Sequence, residues 1–333
     1  MPERLAAVAG RRSEARPDPR FPIRLVALDL DGTLIDDDGP IRERTRRAVA
    51  ATVALGVPVV IATGRMATSV RPYVEALGLK TPIIGYQGGL IREVPAEGRR
   101  LGRVLFHRPL AAETAREAIE WCQANGFRPH VNHLERFIVA ADDPNVEDYS
   151  KFLGARAEIV PDMARWVRHP VTKVIAVGEA GRPEALLETA RAVFAGRAEV
   201  TVSHPQFIEF LAPGVSKGRA VRWFARRTGV PLEHALAIGD QHNDTSMLET
   251  VGHGVAMPSA PADVLAVARY MAPTVEEEGA AQILEAFVLA GADAPRNAER
   301  FRIGERPATG ERPVTGEWPV IGERPVTGER PVP

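Results

Sequence analysis

The stretch that decides the fold is residues 23–34, which reads IRLVALDLDGTL. Its first six residues, Ile23 to Leu28, form an apolar run interrupted by Arg24 alone, as in a strand buried on both faces of a sheet. Asp29 and Asp31 follow directly at the end of that strand, and Gly32 permits a tight turn. A buried strand that ends in two carboxylates predicts a parallel α/β sheet with a polar site at its carboxyl edge.

The flanking sequence alternates between helix and strand signals in the same way. After the first strand, the periodicity predicts a helix over 41–55, a strand over 57–62, a helix over 69–77 and a third strand over 82–86. The pattern returns with helices over 216–228 and 243–251 and strands over 234–238 and 254–257. This order predicts a doubly wound parallel sheet, that is, a Rossmann-like α/β core.

The middle of the chain has a different pattern. A helix over 111–125 is followed by paired strands over 127–132 and 136–141, and further strands and helices continue to residue 211. Such a mixture predicts an α+β unit inserted into the core. We therefore predict a core of residues 22–87 and 204–291 and a cap of residues 88–203.

Both ends of the chain lack these patterns. Residues 1–21 are Arg-rich without an apolar run and predict a disordered leader. From Ile303 a six-residue unit repeats as IGERPA, TGERPV, TGEWPV, IGERPV and TGERPV. Gly and Pro in every unit disfavour helix and strand, so residues 292–333 are predicted to be a disordered tail. An alternative is that the tail binds a partner through Trp318.

Composition excludes several classes of protein. Among 333 residues, 42 are Lys or Arg and 43 are Asp or Glu, so charge gives no sign of a nucleic-acid partner. No apolar run is long enough for a membrane helix, and no protein partner is evident. Cys122 is the single cysteine, which excludes an intrachain disulfide and fits a cytoplasmic location.

The two carboxylates of the first motif favour a metal. Asp29 and Asp31 lie two residues apart at a strand end, where like charges repel and a hard divalent cation such as Mg²⁺ relieves the repulsion. Asp240 follows another predicted strand and can be a third ligand. The alternative is that the motif is an ordinary turn that closes a strand.

Further polar residues follow other predicted strands or begin helices. Thr63, Gly64 and Arg65 follow the second strand and suit a phosphate contact, unless Thr63 simply caps the next helix. Lys217 begins a helix, where a cation is unfavourable unless a phosphate or an acidic cluster lies nearby. A solvated surface lysine is the alternative. Asn243 and Asp244 begin the helix after Asp240 and can reach the metal shell, whereas His242 has no second His or Cys nearby and is interpreted as a bystander.

The chain resembles the haloacid dehalogenase superfamily in four motifs and in their order along the sequence. These are Asp29-Leu30-Asp31-Gly32-Thr33, Thr63-Gly64-Arg65, Lys217 and Gly239-Asp240-Gln241-His242-Asn243-Asp244. The resemblance extends from about Pro22 to Leu289 and is strongest to the Cof-like branch, subfamily IIB. Two further segments are similar to that branch, Ser203-His204-Pro205 with Glu209 and Val255-Ala256-Met257.

The resemblance implies a phosphatase with a phosphoaspartate intermediate. Asp29 is then the nucleophile and Asp31 the general acid and base. Thr63, Gly64, Lys217 and Asn243 hold the phosphoryl group. Mg²⁺ is held by Asp29, Asp31 (through its backbone carbonyl) and Asp240, with Asp244 behind them.

The substrate is expected to be a small phosphorylated metabolite such as a sugar phosphate, chosen by the cap. His130, Asn132 and Arg136 of its central hairpin, and Arg65 of the core, are the candidate substrate contacts. Two departures from the family pattern affect specificity. Gln87-Gly88-Gly89 stands where Asn-Gly is common, and Pro258-Ser259-Ala260 where Gly-Asn-Ala is common.

Three alternatives stay open at this point. The chain could be a phosphomutase, or a phosphatase dedicated to one sugar phosphate. It could also be a non-catalytic module that binds a phosphorylated ligand, with a tail that binds a partner. Asp31 argues against the last reading, because binding alone needs no acid or base beside the nucleophile.

Overall fold

The computed structural model describes residues 21–36, 39–96, 98–141, 143, 146–153 and 155–303. The predicted leader up to residue 20 and the hexapeptide repeats from residue 304 lie outside the described residues. The strands are β1 (Leu25–Leu28), β2 (Val59–Ile61), β3 (Ile83–Gly85), β4 (Leu90–Arg92), β5 (Val104–His107), β6 (Arg128–His133), β7 (Arg136–Ala140), β8 (Ala157–Val160), β9 (Lys173–Val177), β10 (Glu199–His204), β11 (Phe207–Leu211), β12 (Ala235–Gly239), β13 (His253–Ala256) and β14 (Tyr270–Met271).

The α-helices alternate with these strands in the core and flank them in the cap. They are α1 (Glu43–Ala54), α2 (Ala67–Ala76), α3 (Ala112–Ala124), α4 (Val146–Leu153), α5 (Met163–Trp166), α6 (Arg182–Val193), α7 (Lys217–Thr228), α8 (Thr245–Thr250), α9 (Ala262–Val267), α10 (Gly279–Leu284) and α11 (Ala294–Ala298). Short 3₁₀ turns lie at Tyr86–Gly88, Leu232–His234, His242–Asp244, Gly291–Asp293 and Glu299–Phe301, and a π-turn at Glu285–Leu289 extends α10.

The core is a doubly wound sheet, as predicted. Its strands run parallel in the order β14-β13-β12-β1-β2, which places β1 in the interior of the sheet. Helices α1, α2 and α10 pack on one face with Val26 and Leu28 of β1. Helices α7, α8 and α9 pack on the other face with Leu25 and Ala27. Burial on both faces explains why β1 reads as a nearly continuous apolar run.

The predicted third parallel strand pairs differently. β3 pairs antiparallel with β4, in a three-stranded sheet of order β3-β4-β5, and a single parallel bridge between Ala62 and Ile84 joins it to the core sheet. The chain reverses at Tyr86 and Gln87, both with positive φ. β3 therefore has β4 on one edge, and its other edge is hydrogen-bonded to the segment after β2, where the N–H of Thr63 donates to the carbonyl of Ile84 at 2.9 Å.

The cap is a six-stranded sheet of order β10-β11-β9-β6-β7-β8. One face carries α3, α5 and α6, and the other face packs on Met66, Tyr86 and Leu90 of the core. The predicted cap limits, 88–203, are corrected at both ends. β4 and β5 pack on the core through Ile91 and Phe106, whereas β11, after residue 204, belongs to the cap sheet.

The predicted start of the tail is also corrected. Ala294 and Ala298 of α11 are buried, and Phe301 packs against the core cluster. Arg302 forms a bridge with Tyr270 of β14. The small and apolar residues just before the repeats therefore belong to the folded core up to residue 303.

Candidate active site

The predicted site residues converge at the carboxyl edge of the core sheet. Asp29 follows β1, Thr63 lies beyond β2 and Asp240 follows β12, and these three strands are neighbours in the sheet. The backbone N–H of Asp29 donates to Ile238 at 3.0 Å, which fixes the end of β1 against β12. Lys217 is the first residue of α7 and is completely buried. The alternative of a solvated surface lysine is therefore wrong.

Lys217 lies between two carboxylates. Its Nζ donates to Oδ1 of Asp29 at 2.5 Å and to Oδ1 of Asp244 at 2.7 Å. The other oxygen of Asp244 accepts from the backbone N–H groups of Asp240 and Gln241, each at 3.1 Å. Asp244 thus fixes both the lysine and the loop that carries Asp240.

The buried charges shift each other's pKa. Burial, together with the charge of Asp244, raises the pKa of Asp29 from 3.8 to about 7, although Lys217 acts in the opposite direction. Burial and the charges of Asp29 and Asp244 also raise the pKa of Asp240 well above its usual range. Burial alone would lower the pKa of Lys217, but Asp244 and Asp29 overcome it and raise that pKa. One cation cannot neutralise three buried carboxylates, so the cluster calls for a second positive charge.

The donor set fits a hard divalent cation. Carboxylate oxygens of Asp29, Asp240 and Asp244 lie within 4.8 Å of one another. Both oxygens of Asp240 are buried and have no hydrogen-bond donor among the described residues. An orphaned buried carboxylate is costly unless a metal or a proton satisfies it. Oxygen ligands of this kind suit Mg²⁺.

Gly32 makes room for this cluster. Its φ is +72°, and a Cβ at this position would lie 2.3 Å from Oδ2 of Asp240. Any side chain would therefore collide with the carboxylate and strain the turn. This is the structural reason for a glycine directly after Asp31.

Asp31 stands apart from the buried cluster and is held by Arg65. Nε of Arg65 donates to Oδ1 at 3.0 Å and to Oδ2 at 2.9 Å, and Nη2 also donates to Oδ1. Thr63 is fully buried, and its hydroxyl accepts from the backbone N–H of Arg65 at 3.1 Å. The predicted turn 63–65 therefore positions Asp31, and Arg65 already has a carboxylate partner.

His204, at the end of β10 in the cap, lies close enough to Asp31 and Arg65 for their charges to affect its pKa. Burial lowers the pKa of His204 to about 4, the charge of Asp31 opposes that shift and the charge of Arg65 adds to it. β10 also contacts the 3₁₀ turn His242–Asp244. The cap therefore lies over Asp31 and the loop that carries Asp240 in this conformation.

A buried network joins the cap to the site. Glu209 of β11 accepts from Lys173 Nζ at 2.7 Å, from Ser203 Oγ at 2.7 Å and from Gln87 Nε2 at 3.1 Å. Gln87 in turn accepts from Asn243 Nδ2 at 3.0 Å. A second contact joins Lys173 Nζ to the carbonyl of Gly64 at 3.0 Å. The cap thus reaches two loops that the sequence assigned to phosphate binding.

The cap residues predicted to contact substrate have different surroundings. Arg136 is half-exposed, pairs with Glu158 at 2.5 Å and lies over Trp166, 5.1 Å from its ring centre. Because side chains alternate along β7, Phe137 faces the core and Arg136 does not. Contact between Arg136 and the substrate therefore stays a prediction.

The other two hairpin residues are buried. His130 lies on the same face of the cap sheet as Asn132, where it is hydrogen-bonded to Asp143 at 2.6 Å and packs between the rings of Phe137 and Tyr149. Asn132 lies directly opposite Lys173 in the sheet and therefore on the face toward the core. Its Nδ2 has no acceptor among the described residues, and Asn132 stays a candidate for substrate contact.

Sequence reasoning missed Lys173 and the role of Gln87, and quoted Glu209 without assigning it a function. The sequence contained a feature that could have identified Lys173 and Glu209. Lys173 and Glu209 are single charges inside otherwise apolar strands, and buried charges are rare unless paired. Gln87 gave no such signal, because its position depends on the hairpin turn. His242 pairs with Asp263 at 2.9 Å, which agrees with the bystander interpretation.

Within the described ranges, the structure contains no helix with both the length and the apolar character needed to span a membrane.

Comparisons with known proteins agree with the fold. The sequence profile of the haloacid dehalogenase-like hydrolases matches residues 26–284. HMP-PP phosphatase of Cronobacter sakazakii is 28% identical over 243 residues, 73% of this chain and 87% of that protein. The 5-amino-6-(5-phospho-D-ribitylamino)uracil phosphatase YitU of Bacillus subtilis is 28% identical over 286 residues, 79% and 97% of the two chains. The solved structure of a haloacid dehalogenase-like hydrolase from Bacteroides thetaiotaomicron superposes with a TM-score of 0.67 at 26% identity, over 79% of this chain and 99% of that one.

Proposed function

Because the chain belongs to the haloacid dehalogenase-like hydrolases, we propose that it is a magnesium-dependent phosphatase that hydrolyses small phosphomonoesters through a phosphoaspartate on Asp29. The observation that carries the proposal is the cluster of Asp29, Asp240 and Asp244 around Lys217. It combines a nucleophile, a cation and an unsatisfied pair of carboxylate oxygens in one buried place.

Each residue of the site has a distinct task in this proposal. Asp29 attacks phosphorus, and the P–O bond to the leaving alcohol breaks as the Asp29–phosphorus bond forms. Lys217 directs Oδ1 of Asp29 and offsets charge on the transferred group. Asp31 gives a proton to the leaving alcohol and then takes one from the water that hydrolyses the phosphoaspartate. Arg65 keeps the Asp31 carboxylate in a fixed direction for both proton transfers.

Mg²⁺ would be held by Asp29, Asp240 and the backbone carbonyl of Asp31, and when bound it supplies charge stabilisation to the phosphoryl oxygens. Thr63, the backbone of Gly64 and Asn243 then hold the phosphoryl group. Asp244 acts from behind, through Lys217 and the N–H groups of residues 240 and 241.

The cap supports a small substrate. Lys173 contacts Gly64 directly, Glu209 reaches Asn243 through Gln87, and β10 lies on the turn that follows Asp240. A phosphate on a large macromolecule would have to displace these contacts. The relatives named above act on small phosphorylated metabolites by their names, and a cytoplasmic metabolite of this class is our proposal for the substrate.

A panel of phosphorylated metabolites tests the proposal directly. Purified protein should release phosphate from one or a few of them with Mg²⁺, lose that activity in excess chelator and regain it when Mg²⁺ is restored. The Asp240→Asn variant should need far more Mg²⁺, whereas Asp293→Asn, an exposed matched control, should behave as the parent. Full activity in excess chelator, or no hydrolysis of any substrate including p-nitrophenyl phosphate, would contradict the proposal.

A further inference from the structure

A second pocket lies on the outer side of α7, away from the catalytic cluster. It has a volume of about 460 Å³ and is lined in part by four arginines and two aromatic residues. We call it the arginine pocket and define it by Arg108, Arg219, Arg222, Arg226, Phe106 and Trp223. Its volume is within the range of about 300–1,000 Å³ that is common for small-molecule sites.

The positive charge of this pocket has no carboxylate partner among the described residues. No acidic residue lines it, and none of its four guanidinium groups forms an ion pair with a carboxylate of the described residues. Arg219 donates to the carbonyl of Gly214 at 3.2 Å, and Arg222 has one long contact to Thr250 at 3.4 Å. Glu199 accepts from the N–H of Gly214 at the edge of the pocket but does not line it. In a chain whose charges balance overall, such a concentration of cations is an anion-binding feature.

The arrangement of the arginines suits several phosphates at once. Arg219, Arg222 and Arg226 follow one another at three- and four-residue intervals on α7, so they lie on one face over about 10 Å of helix. Arg108 lines the same pocket from the segment after β5. Guanidinium groups donate in pairs to phosphate oxygens, and a linear polyphosphate offers such oxygens along its length.

The aromatic residues add a flat apolar wall. Phe106 and Trp223 are both partly exposed beside the arginines. Rings of this kind stack with heterocyclic bases. We propose that the arginine pocket binds a nucleoside di- or triphosphate, with the phosphates on the arginines and the base against Trp223 or Phe106.

This site is separate from the catalytic one. Neither Lys217 nor any of the catalytic carboxylates lines the arginine pocket. Lys217 points to the opposite side of α7, toward Asp29 and Asp244. The pocket and the catalytic cluster therefore occupy two sides of the same helix, and a ligand can occupy one without entering the other.

The test is a titration of the full chain with adenosine triphosphate in excess chelator at low salt, followed by calorimetry. Without Mg²⁺ the catalytic cluster presents three carboxylates to one lysine and disfavours an anion. We expect one equivalent to bind, with affinity that falls as salt rises. Absence of saturable binding under these conditions would overturn the proposal.

Charge reversal locates the ligand. The double variant Arg222→Glu with Arg226→Glu changes two exposed side chains, so its fold and its hydrolysis of p-nitrophenyl phosphate should be retained. Its affinity for adenosine triphosphate should fall by about tenfold or more, as expected for loss of a charge-assisted hydrogen bond. Arg47→Glu on α1, an exposed change on the opposite face of the sheet, should leave the affinity unchanged. Equal affinities in the double variant and the parent would show that the anion binds elsewhere.

The base is tested separately from the phosphates. Adenosine triphosphate should bind about fivefold or more tightly than inorganic tripolyphosphate, which is the lower end of what one stacked base contributes. The variants Trp223→Ala and Phe106→Ala are compared, and at least one of them should remove this difference while leaving tripolyphosphate binding intact. Equal affinity of the parent for both compounds, or a difference that survives both variants, would overturn the nucleotide assignment.

Discussion

Arg65 holds Asp31 by its guanidinium, with Nε 3.0 Å and 2.9 Å from the two carboxylate oxygens. The arginine is 7% exposed and the aspartate 29%. A buried cation thus orients a carboxylate that stays open to the space under the cap. The geometry makes Arg65 a positioning residue for the proton transfers that we assign to Asp31.

The first prediction concerns this pair. Arg65→Lys keeps the charge but loses the planar group that contacts both oxygens. Misplacing a catalytic group by about 1 Å can cost 10²-fold, so we expect kcat on alkyl phosphates to fall by about 10- to 100-fold. The fall on p-nitrophenyl phosphate should be smaller, because its leaving group needs no proton. Arg71→Lys on α2, at a partly buried arginine paired with Glu75, is the control. Equal losses on both substrates would indicate a role in phosphate binding instead.

The second prediction concerns the buried pair Lys173–Glu209, whose side chains are 5% and 3% exposed. Glu209→Gln leaves the lysine cation buried without a charged partner, which typically costs about 3–5 kcal/mol. The double variant with Lys173→Met removes both charges. Its free energy of unfolding should fall by much less than the sum of the losses in the two single variants. Urea unfolding of all four proteins measures the coupling, and additivity within about 0.5 kcal/mol would mean that the two residues act independently.

The third prediction uses the raised pKa of Asp29, from 3.8 to about 7. Between these values the unfolded chain ionises first while the folded chain keeps its proton. The metal-free fold therefore loses stability as pH rises from about 4 to 7. Asp29→Asn cannot ionise and escapes this loss.

Melting temperatures measured in excess chelator test the direction of this pH dependence. The melting temperature of Asp29→Asn minus that of the parent should become more positive between pH 5 and pH 8. Asp293→Asn, which removes an exposed carboxyl, should show no such trend. A difference that stays constant with pH would show that burial does not raise the pKa of Asp29.

The fourth prediction concerns the C-terminal end of the core. A chain that ends at Ile303 keeps the buried Ala294 and the core contacts of Ala298 and Phe301, whereas a chain that ends at Gly291 loses them. We expect the shorter chain to be less stable by about 2 kcal/mol or more, the value of burying one large apolar side chain. Thermal unfolding of both truncations measures the difference, and equal stability would mean that α11 contributes nothing to the core.

The sequence predicts the parts of this molecule that depend on local pattern. The apolar run before Asp29, the motifs at the ends of β1, β2 and β12, and Lys217 at the start of α7 locate the parallel core sheet and the residues at its edge. These features follow from burial and from the direction of the strands, so one chain is enough to infer them.

Other features depend on contacts between distant segments. Arg136 faces away from the core because of the register of β7 against β6 and β8, which a single sequence does not specify. The contact of Gln87 with Glu209 and Asn243 depends on how the cap docks and on two positive φ values in the hairpin turn. Predicting these contacts requires the packed structure, because they follow from tertiary packing rather than from propensity.

The last prediction separates Asp29 from Asp31, which lie two residues apart and have different surroundings. Asp29 is buried and bound to Lys217, whereas Asp31 is partly exposed and bound to Arg65. Asp29→Asn removes the proposed nucleophile while nearly keeping its shape. Turnover should fall to background for every substrate, whatever its leaving group.

Asp31→Asn should behave differently, because general acid and base catalysis typically contributes about 10²–10⁴-fold. Hydrolysis of alkyl phosphates should fall by a factor in this range, since the leaving alkoxide needs a proton. Formation of the phosphoenzyme from p-nitrophenyl phosphate should be affected less. Its hydrolysis would still lack a base, so phosphoaspartate should accumulate after a short burst.

Burst kinetics and mass spectrometry of the trapped protein distinguish the two roles. The covalent mechanism is supported if the Asp31→Asn variant carries phosphate on Asp29 and the Asp29→Asn variant carries none. The same result supports different roles for the two aspartates. Substantial turnover by correctly folded Asp29→Asn would exclude Asp29 as the nucleophile. If Asp31→Asn loses the same factor on both substrates and traps no phosphoenzyme, the contact with Arg65 has a structural role, and the proton must come from another group under the cap. His204 is the residue to test next, because it senses the charges of both Asp31 and Arg65.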